Sequence, residues 1–179
     1  LIKKAMKGHV DLLGPAMKVQ EELMGIPSFD TPDYSELFAE EKEMIIKLKK
    51  VFLMVAGAAV QKFGAELEAH QQLLMAAADI LIEIYMAEST ILRTEKLAKK
   101  VGQDQVQEQI AMAQLYLYHA VDIITQKGKE GIVSFAEGDE QRMMLMGLKR
   151  FTKYTNMPNV IGLREKIAAK IISENKYAY

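Results

Sequence analysis

The chain contains no cysteine, which removes disulfide scaffolds, thiol nucleophiles, zinc fingers and iron-sulfur ligation together. A reducing cytoplasm is the compartment this fits. An excess of either charge is also missing: 23 basic against 24 acidic residues leave a net charge of -1, too little field to hold nucleic acid. No apolar run reaches the ~18 residues of a membrane span; residues 73–87 come nearest and are interrupted by Asp79 and Glu83. The expectation is a cytoplasmic chain that is soluble or touches membranes only peripherally. Prolines are few, at positions 15, 27, 32 and 158. The stretches between them are rich in Ala, Leu, Met, Glu, Lys and Gln, the residues a helix tolerates best.

What is present is helical periodicity. At 179 residues the chain is long enough for one domain that buries roughly 70% of its unfolded surface. The first segment, residues 1–24, is divided or kinked at Gly14-Pro15. It opens on Leu1-Ile2-Lys3-Lys4 already at helical spacing with no cap before it, which reads as continuation from an upstream domain. Residues 25–33 form a linker, with Thr31 as cap, Pro32 at the first helical position and Asp33 at the positive end of the macrodipole. Residues 34–179 then make an all-α, up-down antiparallel bundle of four to five main helices.

Phe38, Ile45, Phe52 and Ala59 recur every seventh residue, with Leu37, Met44, Val51 and Ala58 beside them and Leu48 and Val55 completing a wide stripe. Gly64 ends that helix. The next carries Leu67, Leu74 and Leu81 on one row and Ala77, Ile84 and Ile91 on another. It is apolar nearly all round over 73–87, which places it at the centre. Asp104 caps a third long helix with the stripe Val106, Ile110, Ala113, Leu117, Val121, Ile124 and Phe135. A shorter helix from Met143 to Lys153 and a last one from Val160 to Asn175, after Pro158-Asn159, complete the bundle. Short connections make successive helices antiparallel neighbours.

Candidate chemistry is thin. A di-iron bundle needs Glu-x-x-His on two helices, but Met6, Leu67 and Tyr116 stand three residues before His9, His70 and His119, so no metal site is expected. Asp79 and Glu83 lie one turn apart in the most apolar helix and are read as a solvent edge or as partners of a neighbouring cation. Gly128-x-x-Gly131 has neither the strand nor the lysine of a phosphate loop and instead suits close helix approach. No serine sits in a triad-like context, and Tyr116, Tyr118 and His119 read as boundary packing with wet polar tips. The one suggestive cluster joins Met143, Met144 and Met146 to Lys149, Arg150 and Lys153. Adaptable methionines beside a basic rim suit a partner groove or an anionic membrane surface, or else plug the bundle end. Lys3, Lys4 and Lys7 offer a second basic edge.

The run from Ile2 through Gly8-His9-Val10-Asp11-Leu12-Leu13-Gly14-Pro15 to Met24 resembles the segment that follows the catalytic core in bacterial acyl-CoA dehydrogenases, in the branch related to the very-long-chain enzymes with their helical C-terminal extension. The resemblance implies a parent flavoprotein that oxidises an acyl-CoA thioester at its α and β carbons, a glutamate taking the α proton as hydride passes to FAD. In that reading the catalytic glutamate and the flavin contacts precede Leu1. No position here then inherits a catalytic, cofactor or metal role, and the chain serves dimer assembly, packing on the core or membrane docking. The expected partners are the upstream catalytic domain and a second copy in a homo-oligomer. The alternatives are a free-standing helical protein-interaction module and an iron-dependent oxidase of ferritin type.

Overall fold

The computed structural model describes residues 11–25 and 35–176. The described residues form six α-helices and no strand: α1 (Leu13–Met24), α2 (Ala39–Phe63), α3 (Gln71–Val101), α4 (Gln107–Phe135), α5 (Gly138–Phe151) and α6 (Val160–Glu174). Short 3-10 segments, Gly64–Ala69 and Gln103–Val106, join α2 to α3 and α3 to α4. The architecture is the all-α bundle expected from the sequence. α2, α3 and α4 run up, down and up, each packed on the other two, with α1 laid on α2, α5 on α2 and α4, and α6 on α4.

The seven-residue stripe of α2 forms the core. Phe38, Met44, Ile45, Leu48, Val51, Phe52, Val55, Ala58 and Ala59 are all buried in one contiguous cluster. It meets Ala77, Ile80, Ile84 and Ile91 of α3 and Ile110, Leu117, Val121, Ile124 and Ile132 of α4. At roughly 1.5–3 kcal/mol for each large aliphatic side chain withdrawn from water, this cluster dominates the stability of the fold. Small residues set the distances between helices. A Cβ at Gly128 would sit 2.8 Å from Leu148 Cδ1, and one at Gly131 would sit 3.1 Å from Val55 Cγ1, so this pair brings α4 against α5 and α2 as close helix approach requires. Gly57 of α2 does the same against Ala16 of α1.

Four local expectations change. The helix expected from Thr31 begins at Ala39, because Phe38 takes a left-handed backbone, φ 63°, as its ring turns into the core. Thr31, Pro32 and Asp33 themselves lie outside the described residues, as do Lys3, Lys4, Lys7 and His9. Asp104 caps nothing: it stands in the 3-10 segment, and α4 starts at Gln107 with no side-chain cap. α3 is also not the central helix. α2 and α4 are, and α3 leaves Met75, Ile82, Tyr85, Met86 and Leu92 exposed. α5 begins at Gly138, five residues before the expected Met143, because Asp139 and Glu140 suit its first turn, and it ends at Phe151. α1 begins at Leu13, beside Gly14-Pro15. The Asn159 side chain accepts from Gly162 N at 3.1 Å to cap α6.

Candidate functional site

The methionine and basic cluster falls on α5, with Lys153 two residues beyond its end, and the helix divides it. Met144 is buried in line with Gly147, Leu148 and Phe151, the positions that face α2 and α4, so its spacing puts it in the core. Met143 is half-buried, while Met146, Lys149 and Lys153 point outward. Arg150 turns toward α1: Nη1 donates to the Glu22 carbonyl at 3.3 Å, Nη2 lies 3.9 Å from the Glu22 carboxylate, and the guanidinium stands 5.9 Å from the Phe151 ring centre. Lys50 of α2 donates to the same carboxylate at 2.7 Å. Arg150 therefore clamps α1 to α5, and the outward part of the cluster shrinks to Met146, Lys149 and Lys153.

The inward-looking acids of α3 are satisfied by α4. Asp79 lies 3.5 Å from Lys127 Nζ, and Tyr116 Oη donates to Glu83 at 2.9 Å. Burial, reinforced by the Glu83 carboxylate, pushes the Tyr116 hydroxyl up to about 12, so this tip is engaged rather than wet. Tyr118 stacks on Tyr154 with ring centres 6.3 Å apart, and His119 Nε2 sits 3.3 Å from Arg164 Nη2 of α6. The His70 ring lies 3.8 Å from that of Phe63. Among the described residues no three of His, Asp and Glu gather as metal ligands would, and no helix is long and apolar enough to cross a membrane.

Two features escaped the sequence. One is a recess of about 160 Å³ where Tyr154, beyond the end of α5, meets Glu40, Glu41 and Gln114. Glu41 accepts from Gln114 Nε2 at 2.7 Å, Glu40 accepts from the Asn156 backbone at 2.8 Å, and Tyr154 Oη has no partner among the described residues. Burial and then the nearby Asp122 and Glu41 carboxylates raise the Tyr154 hydroxyl well above the usual phenol range. No local pattern joins residues so far apart in sequence, so nothing in the sequence pointed to it.

The other is the outer face of α3, where Met75, Ile82, Tyr85 and Leu92 are 57, 55, 68 and 52% exposed. Beside Leu92 the face runs into a groove of about 230 Å³ between α2 and α3, shared with Ile46 and floored by Ile45 and Ile91. Lys42–Glu95 at 2.9 Å and Lys49–Glu88 at 2.6 Å tie the two helices together along it. The all-round apolar stretch over 73–87 was the signal for this face, but it reads equally as a buried helix.

Comparison with known proteins places this bundle. Residues 47–150 match the family described as "Acyl-CoA dehydrogenase, C-terminal domain". A probable acyl-CoA dehydrogenase of Bacillus subtilis (strain 168) is 35% identical over 176 residues, covering 98% of this chain and 29% of the relative. The crystal structure of an acyl-CoA dehydrogenase complexed with FAD from Bacillus anthracis superposes with a TM-score of 0.87 at 37% identity, covering 99% of this chain and 29% of that one. The chain thus spans under a third of the length of the relatives it matches. Helical bundle, family match and close structural agreement converge: the chain belongs to the acyl-CoA dehydrogenase family and corresponds to its C-terminal domain.

Proposed function

We propose that this chain is the non-catalytic assembly domain of an FAD-dependent acyl-CoA dehydrogenase of fatty acid β-oxidation, a cytoplasmic enzyme whose flavin and catalytic glutamate reside in the remainder of the polypeptide. The observation that carries the reading is the agreement with an FAD-complexed acyl-CoA dehydrogenase over only 29% of that enzyme's length. A fit test supports it. The recess at Tyr154 and the groove beside Leu92 have volumes of about 160 and 230 Å³ and carry carboxylates: Glu40 and Glu41 in the first, Glu88 in the second. Sites for ligands of ordinary size run to ~300–1,000 Å³, and clustered carboxylates repel a pyrophosphate, so neither of these two recesses suits a flavin dinucleotide. The outward apolar surface of α3 favours assembly over membrane docking, since only Met146, Lys149 and Lys153 of the α5 cluster face outward.

The test compares the 179-residue chain with the full polypeptide that carries it. The full polypeptide is expected to purify yellow and to bleach its flavin absorbance on addition of an acyl-CoA, whereas the 179-residue chain is colourless and inert. A tightly held flavin or acyl-CoA turnover in the short chain, or a colourless full polypeptide, overturns the proposal.

A further inference from the structure

α1 and α5 meet in a surface rich in methionine. On α1, Leu13, Met17, Gln20 and Met24 follow one another at steps of four, three and four, the spacing of one helix face, and the three apolar members are exposed. Half-buried Met143 and exposed Met146 of α5 continue that surface. The two helices join where Leu23 packs on Gly147, whose Cβ would stand 2.8 Å from Leu23 Cδ2. Met24 and Met146 are the chain neighbours of that contact. Glu22 locks the joint by taking Lys50 at 2.7 Å and the backbone and side-chain contacts of Arg150. At 12 residues α1 has the length of a helix that is marginal in isolation. Burial of Ala16 and Val19 together with the Glu22 clamp therefore holds its outer row in place.

Position in the polypeptide identifies the occupant. In the reading proposed above, the remainder of the polypeptide joins this bundle on the N-terminal side of α1, because the match is to a C-terminal domain and covers 29% of the relatives. A partner tethered beside a surface meets it at an effective concentration that a free partner does not reach. The α1 row is the apolar surface nearest that tether. Methionine suits such a contact, since its unbranched side chain adapts to the shape it meets, and contiguous exposed apolar side chains mark interaction sites. The exposed charges beside the row are Asp11, Lys18, Glu21 and Lys149, two of each sign. A surface that lies on a membrane is instead rich in Lys and Arg. An electrically balanced, adaptable apolar face fits protein.

We propose that the outer row of α1, continued by Met143 and Met146 of α5, docks on the flavin-bearing remainder of the same polypeptide. This deepens the assembly reading above and rests on it. The test is methionine footprinting of the full polypeptide, purified without lipid: hydrogen peroxide oxidises an exposed thioether to the sulfoxide, and exposure sets the rate. Met146 and Met157 are 73 and 70% exposed in this bundle, and Met157 lies apart from the row, between α5 and α6, so it is the internal reference. Met17, Met24 and Met146 are expected to oxidise about tenfold more slowly than Met157. A lysine-directed cross-linker, applied to a mixture of unlabelled and isotope-labelled polypeptide, is expected to tie Lys18 or Lys149 to the remainder within one label. Oxidation of Met17 and Met146 at the rate of Met157 leaves this face in solvent and overturns the proposal. Links found only between labels mean that a second copy covers the face, and overturn it too. So does protection without any link to the remainder, or protection that arises only when anionic phospholipid vesicles are added. Flavin absorbance is read on the same samples. A yellow polypeptide with Met17 and Met146 unprotected defeats the docking alone, whereas a colourless one defeats the assembly-domain reading whatever the footprint shows.

Discussion

α3 has two apolar faces that meet different fates. Ile80 is fully buried between α2 and α4, while Ile82, two residues on, is 55% exposed. The same side chain on the same helix stabilises the fold at one position and leaves the bundle's surface apolar at the other. The contrast teaches that hydrophobicity all round a helix does not by itself place the helix at the centre. α2 and α4 are central because their small residues, Gly57, Gly128 and Gly131, admit neighbours at close range, whereas the outer face of α3 is left exposed among the described residues.

The sharpest way to break that comparison is to truncate both isoleucines. Ile80→Ala removes a fully buried side chain from a packed interior and is expected to cost about 2–5 kcal/mol. Ile82→Ala, on the outer face, is expected to move the stability of the dilute monomeric bundle by no more than about 0.5 kcal/mol. Denaturant midpoints measure both, and equal losses would mean that the two faces are not distinct. Next in size is Gly128→Val. Its branched side chain enters the space of Leu148 Cδ1, 2.8 Å from the position of a Cβ, and overpacking of this kind costs about 1–3 kcal/mol. A gain in stability there would show that α5 yields, and that the spacing of α4 and α5 is set elsewhere.

Much of this fold is written as period. The stripe Phe38, Ile45, Phe52 and Ala59 lies inside at every position, because a seven-residue repeat keeps one face turned to a neighbour. The last helix starts at Val160, where the apolar run after Pro158-Asn159 begins. What could not be read was long-range. The Met144 side chain is buried while Met146 is 73% exposed, and that division depends on the rotation of α5 against α2, which composition does not encode. Arg150 counted as part of a basic rim, yet it reaches back to Glu22, 128 residues away in sequence. The resemblance of the first segment to acyl-CoA dehydrogenases led to the family that the comparisons support. Its Ile2–Val10 portion falls outside the described residues.

A smaller effect probes the polar rim between α3 and α4. Tyr116→Phe removes the hydrogen bond to Glu83 and leaves that carboxylate without its donor, a loss of about 1 kcal/mol for a half-buried pair. The pH dependence has a definite sign. The folded chain raises the Tyr116 hydroxyl from 10.0 to about 12, so the fold holds this proton more tightly than the unfolded chain does. The contribution is complete below pH 10 and is lost as pH climbs toward 12. Between those values the Tyr116→Phe protein is expected to lose less stability than the unsubstituted one. Parallel alkaline curves would show that the hydroxyl does not sense Glu83.

The smallest expected effect lies on the other edge of α3, where the buried seam shared with α2 gives way to ion pairs. Glu95 accepts from Lys42 of α2 at 2.9 Å and lies 3.3 Å from Lys99. The Lys42 hydrogen bond, opposed in part by burial and aided by Lys99, holds its carboxyl below the usual glutamate value of 4.5. A depressed carboxylate stabilises the fold above its unfolded pKa and loses that contribution as pH falls through the folded one. Glu95→Gln is therefore expected to cost about 0.5 kcal/mol at neutral pH, the scale of partly exposed pairs, and to flatten the stability curve below pH 4.5. Salt should shrink the difference further, because Lys42 and Lys99 both reach solvent. The rim pairs then set register between α2 and α3, while the energy that holds the two helices together lies in Leu48, Ile84 and Ile91 beneath them. A loss several times larger for Glu95→Gln than for Ile80→Ala would reverse that order and make the rim, not the seam, the bond between these helices.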